Sequence, residues 1–432
     1  MSLYRQFKTF IRKQVEKLLA SLARKLIAKH SPKVVAITGS VGKTSTKRAI
    51  AAAVETAHKT QWHDGNYNSE IGLPLALFEI ETAKNTYNPL TWLLIIYRVI
   101  SKLLFWNYPY ELLILEFGVD HVGDMDKFLE IVTPDIGVVT AVQGAHLEGM
   151  KTLDNVYDEK TKLALRAKSA LINTEDELLR DRFLVAHPNT QTYGKDESST
   201  FTMSKPTRTK DKTLSFYVDG HIINTNFVAE HQLLALLAGW AIGSMLEVEP
   251  EQMMLGLQEL EPYSGRMNLL RGKQGSFILD DSYNNVSVQA AKTAMKTLAD
   301  FPGKRHILVF GTMNEMGEQT EAGHREAGLF ARELNFDYIV TVGGSARGYF
   351  SDELVRHGFD RSKIASFLSP YEAGEHLAPL LRSGDIVLVK GSQNKVFTEE
   401  TTALLLKLDS DRSKLVRQSS GWQKIKHSQF FN

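Results

Sequence analysis

The chain has 432 residues, 43% hydrophobic and 23% charged, the balance of a globular protein with a substantial core in two or three domains. Its formal net charge of +1 supplies no global field that would point to nucleic acid. It has no cysteine, which excludes disulfides, cysteine-ligated zinc and thiol catalysis and fits a reducing cytoplasm.

Residues Leu3 to His30 predict one helix. Leu3, Phe7, Phe10, Ile11, Val15, Leu18, Leu22 and Leu26 recur at helical spacing. Arg5, Lys8, Arg12, Lys13, Lys17, Arg24, Lys25 and Lys29 take other positions, with Glu16 the only acid. A basic amphipathic helix either lies on an anionic membrane surface or packs on the next domain or a second copy. Its apolar residues are spaced by charges and form no secretory h-region.

Ser31-Pro32 ends this helix, and Val34-Val35-Ala36-Ile37 reads as a short apolar strand. Then come Gly39-Ser40-Val41-Gly42-Lys43-Thr44-Ser45 and a helix from Thr44 to His58. Strand, glycine loop and helix in that order are the context of a phosphate-binding loop, here with the short spacing G-x-x-G-K-[ST]. Gly39 and Gly42 let backbone N–H groups turn toward phosphates. Lys43 adds a fixed charge, Thr44 a hydroxyl for Mg²⁺, and the helix start favours anions. The expected ligand is a nucleoside triphosphate.

The segment from Pro89 to Trp106 is apolar but too short, and through Arg98 and Lys102 too charged, for a transmembrane helix of about 20 residues. It reads as a monotopic or partner-binding helix, or as a buried or self-associating one. Two further apolar strands, Leu112–Leu115 and Ile136–Val139, end at Glu116 and Thr140. Such strands alternating with helices predict a parallel sheet covered on both faces, with ligands beyond the carboxyl ends of its strands. Lys43, Glu116 and His146 all follow such ends. Glu116 is placed to hold Mg²⁺; His146 alone is as well explained structurally. Lys160, on a predicted helix, carries no signal of its own.

From Thr200 to Phe227 the pattern is short strands with a turn at Asp219-Gly220, followed by a helix from His231 to Leu246 and a linker at Pro262–Gly265. Four apolar strands (Phe277–Asp280, His306–Phe310, Tyr338–Thr341 and Ile386–Val389) alternate with helices and predict a second, doubly wound α/β domain. Asp280-Asp281-Ser282-Tyr283-Asn284 is either its ligand site or a turn. The expected organisation is a basic helix at 1–30, an ATP-binding domain at 31–262 with a hydrophobic insert at 81–109, and a C-terminal domain at 263–432.

Taken in order, these segments resemble the Mur ligases, the ATP-dependent amide ligases of peptidoglycan precursor synthesis, and among them the type that adds D-alanyl-D-alanine to the UDP-muramoyl tripeptide. The matching motifs are Thr38–Ser45, Gly65-Asn66-Tyr67-Asn68 through Pro74, Glu116–Asp124, and Ala145-His146-Leu147-Glu148-Gly149. Later come Ser264–Met267, Asp280–Asn284, Gly311–Gly317, His324-Arg325-Glu326 and Val389–Ser392. They span roughly Pro32 to Lys407. The resemblance implies a central P-loop ATPase domain with a mainly parallel sheet, a C-terminal doubly wound domain, and chemistry through an acyl phosphate.

By the same resemblance Gly39, Ser40, Val41, Gly42, Lys43, Thr44 and Ser45 hold the ATP phosphates. Thr44 and Glu116 bind one Mg²⁺, and His146 helps bind a second. Lys160 matches a lysine that is carbamylated in many members and can then steady Mg²⁺. Arg266 is expected to reach the phosphates, with Asp281 and Asn284 on the nucleotide side. Asn66, Asn68, Asn314, Glu315, Lys390 and Ser392 fall on the substrates.

Three departures stand out. The family's sugar-nucleotide-binding N-terminal domain is expected to be missing, which opens the identity of the acceptor. His231-Gln232-Leu233-Leu234-Ala235 replaces a His-Asn-x-x-Asn segment, and Thr161-Lys162 follows Lys160 where Gly-Glu is usual.

Two alternatives stay open. One is a folylpolyglutamate- or cyanophycin-type ligase, although the folate type usually has Gly-Lys-Gly-Ser at Gly42–Ser45. The other is a non-catalytic ATP-binding partner subunit, which retention of Lys43, Glu116, His146 and Arg266 argues against. The expected partners are a small or lipid-linked peptidoglycan precursor and an amino acid or dipeptide. The expected place is the cytoplasm, at the inner membrane face through the N-terminal helix and residues 89–106, or beside a partner protein.

Overall fold

The computed structural model describes residues 3–64, 69–81, 89–143, 147–284, 287–314 and 316–431. It divides into two compact units. The first is Met1–Thr207, Ser215–Thr225 and His231–Leu260; the second is Arg208–Leu214, Asn226–Glu230 and Glu261–Asn432.

The first unit runs α1 (Leu3–His30), β1 (Lys33–Thr38), α2 (Lys43–Val54), β2 (Thr60–Gln61), α3 (Gly72–Leu77), α4 (Pro89–Phe105), β3 (Leu112–Glu116) and α5 (Asp124–Ile131). It continues with β4 (Ile136–Val139), α6 (Leu147–Met150), α7 (Leu153–Arg166), β5 (Ser169–Asn173), β6 (Gln191–Gly194) and β7 (Phe201–Thr202). These strands form one seven-stranded sheet in the order β2-β3-β1-β4-β5-β6-β7, parallel at every pairing. The registers place Ile37 of β1 opposite both Glu116 of β3 and Val138 of β4. The phosphate-loop segment and Glu116 therefore leave the sheet side by side.

Both sheet faces are dry because both are covered. On one, Leu19, Leu22, Ala23 and Leu26 of α1 share a core with Val34 and Ala36 of β1, Ile95 and Val99 of α4, and Phe128 of α5. These four residues of α1 thus pack on their own unit. On the other face α2 lies against β1 and β3.

The chain next forms β8 (Thr207–Arg208), β9 (Leu214–Val218), β10 (His221–Asn224), α8 (Glu230–Met245) and α9 (Pro250–Gln258). Asp219 (φ 48°) and Gly220 (φ 82°) join β9 to β10, positive φ at both positions being what a two-residue hairpin requires. A Cβ on Gly239 of α8 would sit 2.6 Å from Ala49 O, and one on Gly256 of α9 1.8 Å from Ala52 O. The small-residue face of α2 is thus gripped at backbone distance, which fixes the helix that begins at the loop.

The second unit contains β11 (Asn268–Arg271), β12 (Phe277–Asp281), α10 (Val288–Ala299), β13 (Arg305–Gly311), α11 (Thr320–Leu334) and β14 (Tyr338–Val342). Then follow α12 (Ser351–Arg356), β15 (Ile364–Phe367), α13 (Pro370–Leu377), β16 (Asp385–Lys390), α14 (Glu399–Leu405) and α15 (Ser420–Phe430). The sheet order is β11-β12-β16-β13-β14-β15, parallel except for the antiparallel β11–β12 pair. Alternate residues of each strand enter opposite cores. Leu279, Leu308 and Leu388 join α10 and α11, while Ile278, Val309 and Val387 join α13 and α14. That is a doubly wound sheet.

The C-terminal helix is tied down by charge. Lys426, fully buried, lies 2.8 Å from Glu399 Oε1 and 2.5 Å from Glu400 Oε1, and it donates to Arg417 O (2.8 Å). Arg417 pairs with Glu399 Oε2 at 2.5 Å. Removing one member of a buried ionic network strands its partners in a dry interior. Lys426→Met is therefore expected to cost about 3–5 kcal/mol, read as a lowered urea midpoint. A loss below about 1 kcal/mol, the scale of an exposed pair, would show that the network is solvated.

Candidate functional site

The first cluster lies beyond the carboxyl ends of β1, β3 and β4. Gly39 has φ 154° and Gly42 φ 83°, and a Cβ on Gly39 would fall 2.0 Å from Thr140 Oγ1. Only glycine fits there. Thr140, just past β4, donates its hydroxyl to Val41 O (2.6 Å). Ser40 N donates to Ala141 O (2.8 Å), and Ser40 Oγ accepts from Gln143 N (2.9 Å). The 140–143 segment is itself held: Asn173 Nδ2 donates to Thr140 O (2.7 Å), and Asp176 Oδ2 accepts from Val142 N (2.8 Å). The loop is thus fixed from outside, through the contacts of Ser40 and Val41 with the 140–143 segment. Gly42 caps α2 in the left-handed region with no side-chain hydrogen bond to the helix start, the arrangement that suits an anion. Lys43 Nζ folds over the loop and donates to Gly39 O (2.7 Å).

Glu116 is buried beside this loop. Thr44 Oγ1 donates to its Oε1 (3.3 Å), and Lys47 Nζ lies 2.9 Å from its Oε2. That ion pair lacks hydrogen-bond geometry, so Oε2 has no hydrogen-bond partner. A buried carboxylate oxygen with acceptor capacity, next to a hydroxyl, is a hard all-oxygen donor set that fits Mg²⁺. Among the described residues no group of three or more His, Asp and Glu side chains gathers. Further ligands for such an ion would come from phosphate and water.

Lys160 sits on the inner face of α7, 1% exposed. Burial brings its ammonium down to about 7, the Lys43 charge adds to the depression, and Asp120 and Glu159 oppose it. Its neighbour Glu159 is buried too, accepting from Met125 N (2.7 Å) and pairing with Lys162 (2.9 Å). The Lys162 that departs from the family pattern thus has a structural task.

In the second unit the predicted residues meet at the carboxyl ends of β12, β13 and β16. Lys390, fully buried, donates to Asp281 Oδ2 (2.6 Å) and to the Asn284 carbonyl. Burial lowers the Lys390 ammonium from its ordinary value; Asp281 counters this and the Arg266 charge adds to it. Asn284 N donates to Gly391 O (2.8 Å) and its Nδ2 reaches Asp281 Oδ1 at 3.4 Å. Asn314 N donates to Ser392 Oγ (2.9 Å). His324 is buried and spans two loops: its Nε2 accepts from Met313 N (2.9 Å), so Nδ1 donates to Thr320 O (2.7 Å). That pattern defines a neutral, structural imidazole. Asp280, also fully buried, accepts from Thr402 Oγ1 (3.2 Å) on Oδ1 while Oδ2 has no partner, and burial pushes it up to about 7.

The structure therefore gathers Gly39 to Ser45, Glu116 and Lys160 in one unit, and Arg266, Asp281, Asn284, Asn314, Lys390 and Ser392 in the other. Asn66, Asn68, His146 and Glu315 lie outside the described residues. Thr140, Lys47 and Glu159 were not singled out from the sequence. Only their contacts mark them, although Lys47, one helical turn after Lys43 on a face otherwise rich in alanine, is a signal in retrospect.

Two family models match this chain. The Mur ligase middle domain matches residues 37–90 and 97–243, and the Mur ligase glutamate ligase domain matches residues 265–393. A UDP-N-acetylmuramoyl-tripeptide--D-alanyl-D-alanine ligase of Bacillus subtilis is 25% identical over 389 residues, 88% of this chain and 78% of its own length. The enzyme of the same name from Borreliella burgdorferi is 29% identical over 337 residues, 76% of this chain and 66% of its own. The crystal structure of MurF ligase from Thermotoga maritima in complex with ADP superposes with a TM-score of 0.71 at 26% identity, covering 92% of this chain and 84% of that one. With matched domains in series, their motifs on the strand ends described above and the same fold, the chain belongs to the Mur ligase family.

Proposed function

We propose that this protein is an ATP-dependent amide ligase of peptidoglycan precursor synthesis that joins D-alanyl-D-alanine to a muramoyl tripeptide. The observation that carries the reading is the convergence of the phosphate loop, the Thr44–Glu116 pair and the depressed Lys160 at one sheet edge. The named relatives supply the substrates.

A substrate carboxylate oxygen attacks the γ-phosphorus of ATP, ADP leaves, and an acyl phosphate forms. The amine nitrogen then attacks the acyl carbon, the carbon–oxygen bond to phosphate breaks, and the nitrogen gives up its proton to a base or water. Neither step needs a covalent bond to the protein, so its work is placement and charge neutralisation. The loop amides and Lys43 offset the phosphate charge. Thr44 and Glu116 would hold Mg²⁺, which when bound would supply Lewis acidity at the phosphate oxygens. By family resemblance His146 serves a second ion, Arg266 reaches the phosphates, and Asp281 and Asn284 meet the nucleotide. Asn66, Asn68, Asn314, Glu315, Lys390 and Ser392 contact substrates. The site of action is the cytoplasm, at the inner face of the membrane.

Phosphate release from ATP should require both a muramoyl tripeptide acceptor and D-alanyl-D-alanine. Lys43→Ala should lower it about 100-fold or more, as loss of a transition-state charge partner does. If no acceptor–amine pair raises turnover above the Lys43→Ala control, the protein is an ATP-binding partner and not a ligase.

Lys160 is proposed to work as a carbamate. Its neutral amine adds to CO₂ and loses a proton, replacing a buried cation by an anion suited to Mg²⁺. An ordinary lysine is protonated until far higher pH, whereas this one is neutral above about 7. Activity should therefore fall as pH drops below about 7 and recover with added bicarbonate. Isotope-labelled bicarbonate should give a carbamate carbon resonance that Lys160→Gln lacks. Full turnover at about pH 8 with no such resonance would remove this role.

A further inference from the structure

Helix α4 leaves an apolar face uncovered. Ile95 and Val99 point into the core, while Leu93, Leu94, Tyr97, Ile100, Leu104 and Phe105 are 40–82% exposed. Exposed apolar side chains on one surface at this density are a docking face rather than scattered surface residues. No helix among the described residues is long and apolar enough to cross a membrane, so α4 cannot span one.

The charges that α4 and α1 contribute are predominantly basic. Helix α4 contains Arg98 and Lys102 and no acid. Lys102 sits 4.2 Å over the Trp106 ring, with Glu79 3.6 Å away. Helix α1 packs directly on α4, and Lys29 donates to Leu103 O (2.9 Å). In sequence α1 carries eight Lys and Arg against one Glu, in a chain whose net charge is +1. Arg12, Lys13, Lys17, Arg24, Lys25 and Lys29 are all exposed, while Leu19, Leu22, Ala23 and Leu26 of the same helix are buried in the core. The two helices divide the properties of an interfacial amphipathic helix between them: one supplies the apolar face, the other the cations.

We propose that α4 and α1 together dock the protein on an anionic phospholipid surface, with the α4 face entering the headgroup–acyl boundary and the α1 cations meeting acidic headgroups. Cations beside such a surface are drawn to its acidic headgroups, which favours a lipid occupant over a second copy, since a symmetric pairing of two copies would bring α1 against α1. This rests on the membrane-face placement above and is independent of the ligase chemistry.

Flotation of the full chain with vesicles tests it without turnover. Mixed phosphatidylglycerol–phosphatidylcholine vesicles should carry the protein, and phosphatidylcholine alone should not. About 1 M salt, where the screening length is about 3 Å, should release most of it. The double variant Tyr97→Asp with Leu104→Asp, both at exposed positions, should weaken binding about tenfold or more while ATP turnover in vesicle-free buffer is unchanged. Failure to float with anionic vesicles, or equal flotation of the variant, overturns the proposal. So does a solution dimer that the same variant dissociates, which would make the face a contact between copies. Flotation with no ligase turnover would overturn the ligase reading alone.

Discussion

One carboxylate oxygen organises the nucleotide end of this molecule. Glu116 is carried into a dry position by a strand with no polar residue before it, and one of its oxygens lacks a hydrogen-bond partner. A buried charge in that state is unfavourable unless opposite charge lies close by. Lys47 provides part of the compensation and the Thr44 hydroxyl another part. Since Thr44 and Lys47 belong to the first turns of α2, the helix can take only one rotation about its axis. That rotation sets where the loop amides point. The glycines of α8 and α9, pressed on the alanines of α2, lock it from behind. Phosphate-loop geometry is thus fixed by packing on one side and by charge on the other.

The same economy holds for α1. Leu19, Leu22, Ala23 and Leu26 share a core with the strand that feeds the loop, so this half of the helix is part of the nucleotide-binding unit and not a tether to it. Anything that holds α1 and α4 also fixes the orientation of that unit's catalytic edge. In the second unit the corresponding task falls to Lys390 and Asp281, a buried pair at the ends of neighbouring strands.

Much of this was legible in the sequence. The phosphate loop, the strands ending at Glu116 and Thr140, and the four main strands of the second unit are short apolar runs bounded by turn residues, and local chemistry dictates them. Strands β5 and β6 were not legible, since Ser169–Asn173 and Gln191–Gly194 alternate weakly and gain their place only by pairing outward from β4. Amphipathicity identified both α1 and α4 but could not say which apolar face would be covered; that depends on tertiary packing. Lys47, Lys160 and Lys426 each read as ordinary solvated lysines. Their burial follows from partners 26 to 69 residues away in Glu400 and Glu116, or, for Lys160, from the packing of a whole helix. The resemblance to a family singled out Lys160 where chemistry alone was silent.

Asp280 carries a consequence for the energetics of the whole second unit. Its carboxyl is pushed from an ordinary 3.8 up to about 7 by burial, so between those values the folded chain holds a proton that the unfolded chain has released. By linkage the folded state is favoured toward the acid end of that window and loses free energy as pH climbs through it, levelling off above about 7. This is the reverse of the usual carboxylate contribution. At neutral pH the centre of the second sheet buffers protons, and part of its folding free energy is coupled to their activity.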